Sequence, residues 1–144
     1  MKRFSRSICV ILVIGMLLAV PVFAETEATV TPYASSYFIS YCTYLYKTTG
    51  TTFEVWFEVI ACDGMDELGV SEIKVQRSLD GESWTTMWTY TPEDYPQMLC
   101  EDTSLHADCV TYTGSNGYDY RAYVTFYAKN SGGYGKRYVY AYFL

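Results

Sequence analysis

Glu54 and Glu58, flanking Trp56, are residues whose type and spacing could do chemistry. A pair of carboxyl groups is what glycosidic bond cleavage requires, one as acid and one as nucleophile or base. In an extended segment residues 54, 56 and 58 share one face, and four residues of strand span about 13 Å. Hydrolase carboxyl pairs sit roughly 5 to 9.5 Å apart. The pair therefore reads as a solvated edge-strand face, where charge discourages edge-to-edge aggregation.

Nucleophilic catalysis needs a base, and His106 is the single histidine. It falls in a polar stretch, Thr103-Ser104-Leu105-His106-Ala107, which predicts an exposed loop residue. The chain has no G-x-S-x-G elbow. A Cys–His dyad would need an unpaired cysteine, which an oxidising compartment opposes. Asp63, Asp66 and Glu67 form an acidic cluster that calcium could use, but the Asp-x-Asp-x-Asp pattern of an EF-hand is missing. The sequence predicts no catalytic residue, no metal site and no cofactor.

Five cysteines are present, and Cys9 lies in the apolar N-terminal run. Cys42, Cys62, Cys100 and Cys109 remain, with no C-x-x-C spacing that would suggest zinc. An even number in a small secreted domain predicts structural disulfides, with three ways to pair four cysteines. A turn near Gly50 sets Cys42 opposite residues 55 to 58. That leaves Cys62 four or more residues away, beyond the roughly 7 Å that a disulfide allows between Cα atoms. Cys100 and Cys109 are close in sequence and could staple one loop.

The tyrosines are the strongest functional signal, 16 in all. Tyr123 and Tyr127 share the outward face of an alternating segment, while Tyr138, Tyr140 and Tyr142 share one face of the next. Tyr123, Tyr127, Tyr138 and Tyr140 are thus candidate binding residues, an aromatic platform for sugars or protein partners. The same pattern also suits cross-strand pairs that only stabilise a sheet.

The elements that must carry these residues are strands. β-branched and aromatic residues dominate, and no segment holds a helical period. Strands are predicted over 37–46, 52–61, 70–78, 84–90, 110–112, 119–128 and 138–144. In the second, Phe53, Val55, Phe57 and Val59 point inward. In the sixth, Tyr120, Ala122, Val124, Phe126 and Ala128 point inward, and Asp119, Arg121, Tyr123, Thr125 and Tyr127 outward. Asp80-Gly81 signals a tight turn. Cys62–Asp66 reads as a loop, and 91–108 as a longer irregular one. Seven regularly spaced strands predict an all-β fold, a seven-stranded antiparallel two-sheet sandwich over residues 36–144.

Ahead of it, Lys2, Arg3 and Arg6 precede an apolar run, Ile8–Val20, and Val22-Phe23-Ala24 supplies small residues for cleavage. This is the layout of a secretory signal peptide, residues 1–24, cut after Ala24. The run is shorter than the roughly 20 residues of a membrane span, so no lasting membrane insertion is expected. Residues 25–35 form a polar, flexible lead. The full chain has a net charge of −6. Without Lys2, Arg3 and Arg6, seven basic residues face 16 acidic ones, a net charge of −9. Such a surface disfavours nucleic acid and anionic lipid.

Two stretches carry a resemblance. Met65-Asp66-Glu67-Leu68-Gly69-Val70 runs on to Ile73, Val75, Arg77-Ser78, Asp80-Gly81 and Trp84. Tyr112-Thr113-Gly114 leads into Gly117-Tyr118-Asp119-Tyr120-Arg121-Ala122-Tyr123-Val124-Thr125-Phe126-Tyr127-Ala128. With Ser35-Ser36-Tyr37, they resemble an uncharacterised family of small secreted proteins from Gram-positive bacteria. The chain is also similar to fibronectin type III domains through Tyr120, Val124, Ala128 and Asn130. That likeness implies an immunoglobulin/fibronectin-like sandwich, in which Cys62–Cys109 is an alternative bridge. Ser78–Trp84 resembles the Asp-box of sialidases, a structural hairpin that is one residue short here.

The expected function is a secreted, non-catalytic module that binds an envelope glycan or an extracellular protein. Self-association as a surface protein is the second expectation. A small hydrolase dependent on His106 is the third.

Overall fold

The computed structural model describes residues 36–143. The expected signal peptide (1–24) and the lead (25–35) lie outside the described residues, as does Leu144. Six strands make one antiparallel sheet: β1 (Phe38–Thr49), β2 (Thr52–Ser78), β3 (Thr85–Tyr90), β4 (Leu99–Thr113), β5 (Asp119–Asn130) and β6 (Gly133–Ala141). A short 3₁₀ turn, Pro96–Met98, leads into β4.

β2 organises the rest. Its first half pairs with β1 on one side, from Phe38↔Ala61 to Thr49↔Thr52, and with β4 on the other. Its second half pairs with β5 along Glu67–Ser78 and with β3 along Ile73–Arg77. β6 lies outside β5. Irregularities between Ile60 and Met65 and between Val70 and Glu72 bend β2 on its way from one set of partners to the other. The sheet therefore curls into a half-barrel. Its far ends meet where the Leu45 N–H donates to the Tyr142 carbonyl at 2.9 Å, beside an isolated Leu45↔Phe143 bridge.

The core fills the concave side. Phe53, Val55, Phe57 and Val59 are buried, as are Ile73 and Val75, all as their alternation predicts. So are Tyr120, Ala122, Val124, Phe126 and Ala128. Rings from the two partner sets of β2 meet there. Tyr41 of β1 lies 5.3 Å from Phe126 of β5, and Phe53 lies 5.2 Å from Tyr120.

Four expectations are corrected. The second and third predicted strands are one continuous β2, because the polar stretch Cys62–Asp66 stays in the sheet as a bulge. Most of the predicted irregular segment is strand, since β4 begins at Leu99 and pairs with β2 over most of its length. The turn at Asp80-Gly81 is wider than two residues. The Asp80 carboxylate accepts the Glu82 and Ser83 N–H groups at 2.9 and 2.8 Å and the Ser78 hydroxyl at 2.8 Å. Finally, Thr125 is buried at 4% exposure despite its outward parity, flanked along β5 by Tyr123 and Tyr127 and paired with Tyr138.

Candidate functional site

The convex face of β5 and β6 gathers the predicted tyrosines. β5 turns its odd-numbered residues to this face, β6 exposes its even-numbered ones, and their register sets Tyr123 opposite Tyr140, Thr125 opposite Tyr138, and Tyr127 opposite Lys136. The Tyr123 and Tyr138 rings have centres 5.9 Å apart and planes within 9°. Tyr140 lies 4.9 Å from Tyr123 and 6.4 Å from Tyr142. Tyr138, Tyr140 and Tyr142 are 59%, 44% and 53% exposed, so their rings are open to a partner. Burial, then the neighbouring Tyr140 and Tyr138, push the Tyr123 phenol above its ordinary value, so it stays neutral at physiological pH.

Tyr127 belongs to a second group. It stacks on Tyr134, at 6.0 Å and 27°, and Lys136 sits over both rings at 5.8 and 6.0 Å. Of the four predicted binding residues, three share one cluster and Tyr127 lies along the strip from it.

Sequence reasoning missed the cations. The Arg121 guanidinium lies between two rings, 4.2 Å from the centre of Trp84 and 4.3 Å from that of Tyr140. Its Nε donates to Gln76 Oε1 at 2.8 Å. Trp84 is itself held by a bond from Nε1 to the Gly81 carbonyl at 3.2 Å. The signal was in the parity: Arg121 alternates with Tyr123, and Lys136 with Tyr138. Two ion pairs flank the strip, Lys74–Glu72 at 2.8 Å and Lys129–Glu67 at 2.6 Å.

Glu54 and His106, considered for catalysis, are engaged in other contacts. Glu54 accepts the Trp56 indole N–H at 2.8 Å, and Glu58 pairs across β1 with Cys42. His106 is a strand residue of β4 opposite Val59, not a loop residue. Its ring packs 5.6 Å from Phe57, and its Nε2 bonds to the Gln97 carbonyl at 2.8 Å, tying the 3₁₀ turn to the sheet. Of the acidic cluster, Glu67 is held by Lys129. Among the described residues no group of carboxylates, histidines and cysteines is placed to hold a metal ion.

No disulfide joins Cys42, Cys62, Cys100 and Cys109, which corrects the expected bridges. Cys100 and Cys109 are nine residues apart on one strand, about 30 Å along it. Cys109 lies opposite Trp56, six residues of β2 before Cys62, which is roughly 20 Å. Cys42 lies opposite Glu58, about 13 Å along the strand from Cys62. Burial, then the Glu58 carboxylate, raises the Cys42 thiol; burial, then Glu54, raises Cys109.

An open cleft of about 410 Å³ lies at one end of the half-barrel, lined by Phe53, Tyr120 and Phe143 with Lys47 at its rim. No protein-family model matches the chain, and no curated protein or solved structure does either.

Proposed function

We propose that this chain is a secreted, non-catalytic binding module whose tyrosine-rich β5–β6 face docks a glycan or an extracellular protein. The observation that carries the reading is the convex cluster in which Tyr138 and Tyr140 both pack on Tyr123. Rings held by a sheet lose little freedom on binding, so an aromatic face of this kind can bind without reordering. Secretion rests on the N-terminal sequence, and membership of the Gram-positive family rests on the motifs quoted above.

We also propose that the half-barrel is a variant of the immunoglobulin/fibronectin-like sandwich. Divided at its Cys62–Asp66 bulge, β2 counts as two strands and the total becomes seven. Tyr120 supplies further support. It stands at the start of β5, and its hydroxyl accepts the Ser115 N–H at 2.7 Å, the pattern of the tyrosine corner in such sandwiches.

The test is a pull-down on isolated cell envelopes and a glycan array, comparing wild type with Tyr138→Ala/Tyr140→Ala. Saturable binding that the double variant loses supports the reading. Binding that survives in the double variant places the function elsewhere on the molecule. Self-association, the second reading, predicts a hydrodynamic size that grows with concentration and falls back in the same variant.

A further inference from the structure

Charge is split across this molecule. From Asp119 to Ala141 the chain carries Arg121, Lys129, Lys136 and Arg137 against one carboxylate, Asp119. β4 has Glu101, Asp102 and Asp108 and no lysine or arginine, and residues 52–61 of β2 add Glu54 and Glu58. A net charge of the whole chain therefore misdescribes the tyrosine face. Fields are screened over about 8 to 10 Å at physiological salt, so a ligand on β5–β6 responds mainly to the charges beside it.

Those charges are not all compensated. Lys74 and Lys129 are neutralised by Glu72 and Glu67. Arg121 and Lys136 have no carboxylate partner among the described residues; they rest on rings instead. Gln76 occupies only the Nε of Arg121. Its terminal nitrogens are left for an acid group, which a guanidinium fork binds with two parallel charge-assisted bonds. Lys136 lies opposite Tyr127, six residues of strand from Arg121 and so about 20 Å away. Tyr123, Tyr138 and Tyr140 fill the space between.

We infer that the ligand of this face is an anionic glycan, an extended chain of sugars bearing carboxylate or phosphate groups. Its acid groups meet Arg121 and Lys136, and its sugar faces lie on Tyr123, Tyr138 and Tyr140. The inference rests on the binding-module reading above and narrows it. A nucleic acid fits less well, because each of its nucleotides brings a phosphate while two uncompensated cations serve the whole strip.

The test titrates the full-length protein with polygalacturonate, its methyl ester, a phosphomannan and an oligothymidylate, following tyrosine and tryptophan fluorescence. At least one of the two acidic polysaccharides should bind about tenfold more tightly than the methyl ester, as expected of a bidentate charge-assisted contact. That binding should weaken as salt is raised from about 0.01 M to about 1 M, which shortens the screening length from roughly 30 Å to 3 Å. Arg121→Gln should remove the preference for the acidic form. Arg121→Lys keeps the charge without the fork and should restore part of it. Circular dichroism identifies any variant that fails to fold, and Lys136→Gln then serves instead. Equal, salt-insensitive binding of ester and acid overturns the inference and leaves the module reading standing. Tighter binding of the oligothymidylate overturns it in favour of a single-stranded nucleic acid. If the folded protein binds none of the four but retains cell envelopes in the pull-down, the ligand is not an anionic glycan. Failure of both assays defeats the module reading as well.

Discussion

The Tyr120 hydroxyl accepts the Ser115 N–H at 2.7 Å, closing the turn between β4 and β5. The ring is buried against Phe53 and Tyr112. Gly114 packs so closely on it that a Cβ there would lie 2.6 Å from the ring's Cζ. Tyr120→Phe removes the bond and keeps the ring, so it should lower stability by about 1 kcal/mol. Gly114→Ala should cost about 1 to 3 kcal/mol through overpacking. Urea unfolding midpoints of the two variants check both values.

Gly69 should be intolerant of any side chain. Its φ of +151° is one that L-residues rarely adopt, and a Cβ would lie 2.2 Å from the Met98 carbonyl oxygen. The obstacle is backbone, held by the 3₁₀ turn and by His106, so it cannot swing aside. Gly69→Ala should destabilise by about 2 kcal/mol or more, combining strain with overpacking. A thermal melt showing an unchanged midpoint would refute this account of the β2–turn contact.

Tyr90 sets an alkaline limit. Burial, then Tyr95 and Tyr112, push its phenol from 10.0 up to about 12, and the hydroxyl donates to the Thr111 carbonyl at 2.7 Å. The raised value means that the folded state holds this proton more tightly than the unfolded chain. The resulting stability is complete below pH 10 and is lost as pH rises from 10 towards 12. Denaturant melts across that range should show the decline, and Tyr90→Phe should make it shallower, leaving the part due to the raised Tyr112, Tyr123 and Tyr127 phenols.

The cysteines should be dispensable for folding. None of the four is joined to another by a disulfide, so no such bond contributes to the native state. Combined Cys42→Ser and Cys109→Ser substitutions should change stability by less than about 1 kcal/mol, whereas loss of a native disulfide costs about 2 to 5 kcal/mol. Unfolding with and without reductant should give superimposable curves for the wild-type protein.

β5 was legible in the sequence because one of its faces is wholly buried. Tyr120, Ala122, Val124, Phe126 and Ala128 alternate without a break, and a shift of one residue would expose all five. β4 was not, for physical reasons. It pairs only with β2, and most of its residues are exposed or half-exposed. Asp102 interrupts it with a left-handed φ of +50°. No apolar period survives in such a strand. The residues 62–66 misled in the same way, since a bulge keeps a polar stretch within the sheet. Counting cysteines failed because strand pairing, not sequence distance, decides which residues meet. In the tyrosine strip, parity set Tyr123 outward on β5 and grouped Tyr138 with Tyr140 on one face of β6, but which face of β6 that is follows from the β5–β6 register and not from the sequence. The cations that share that face follow the same parity, but Trp84 reaches it from the far end of a turn, which no periodicity encodes.

The length of β2 has a mechanical consequence. It is hydrogen-bonded to β1, β3, β4 and β5, so no part of the molecule except β6 can peel away without loosening the same strand. A load applied to the tyrosine face passes through β5 into the second half of β2, and along one uninterrupted backbone into the first. Beyond β6, the sheet is a beam built in at its middle, and under tension it should yield in one step, not strand by strand.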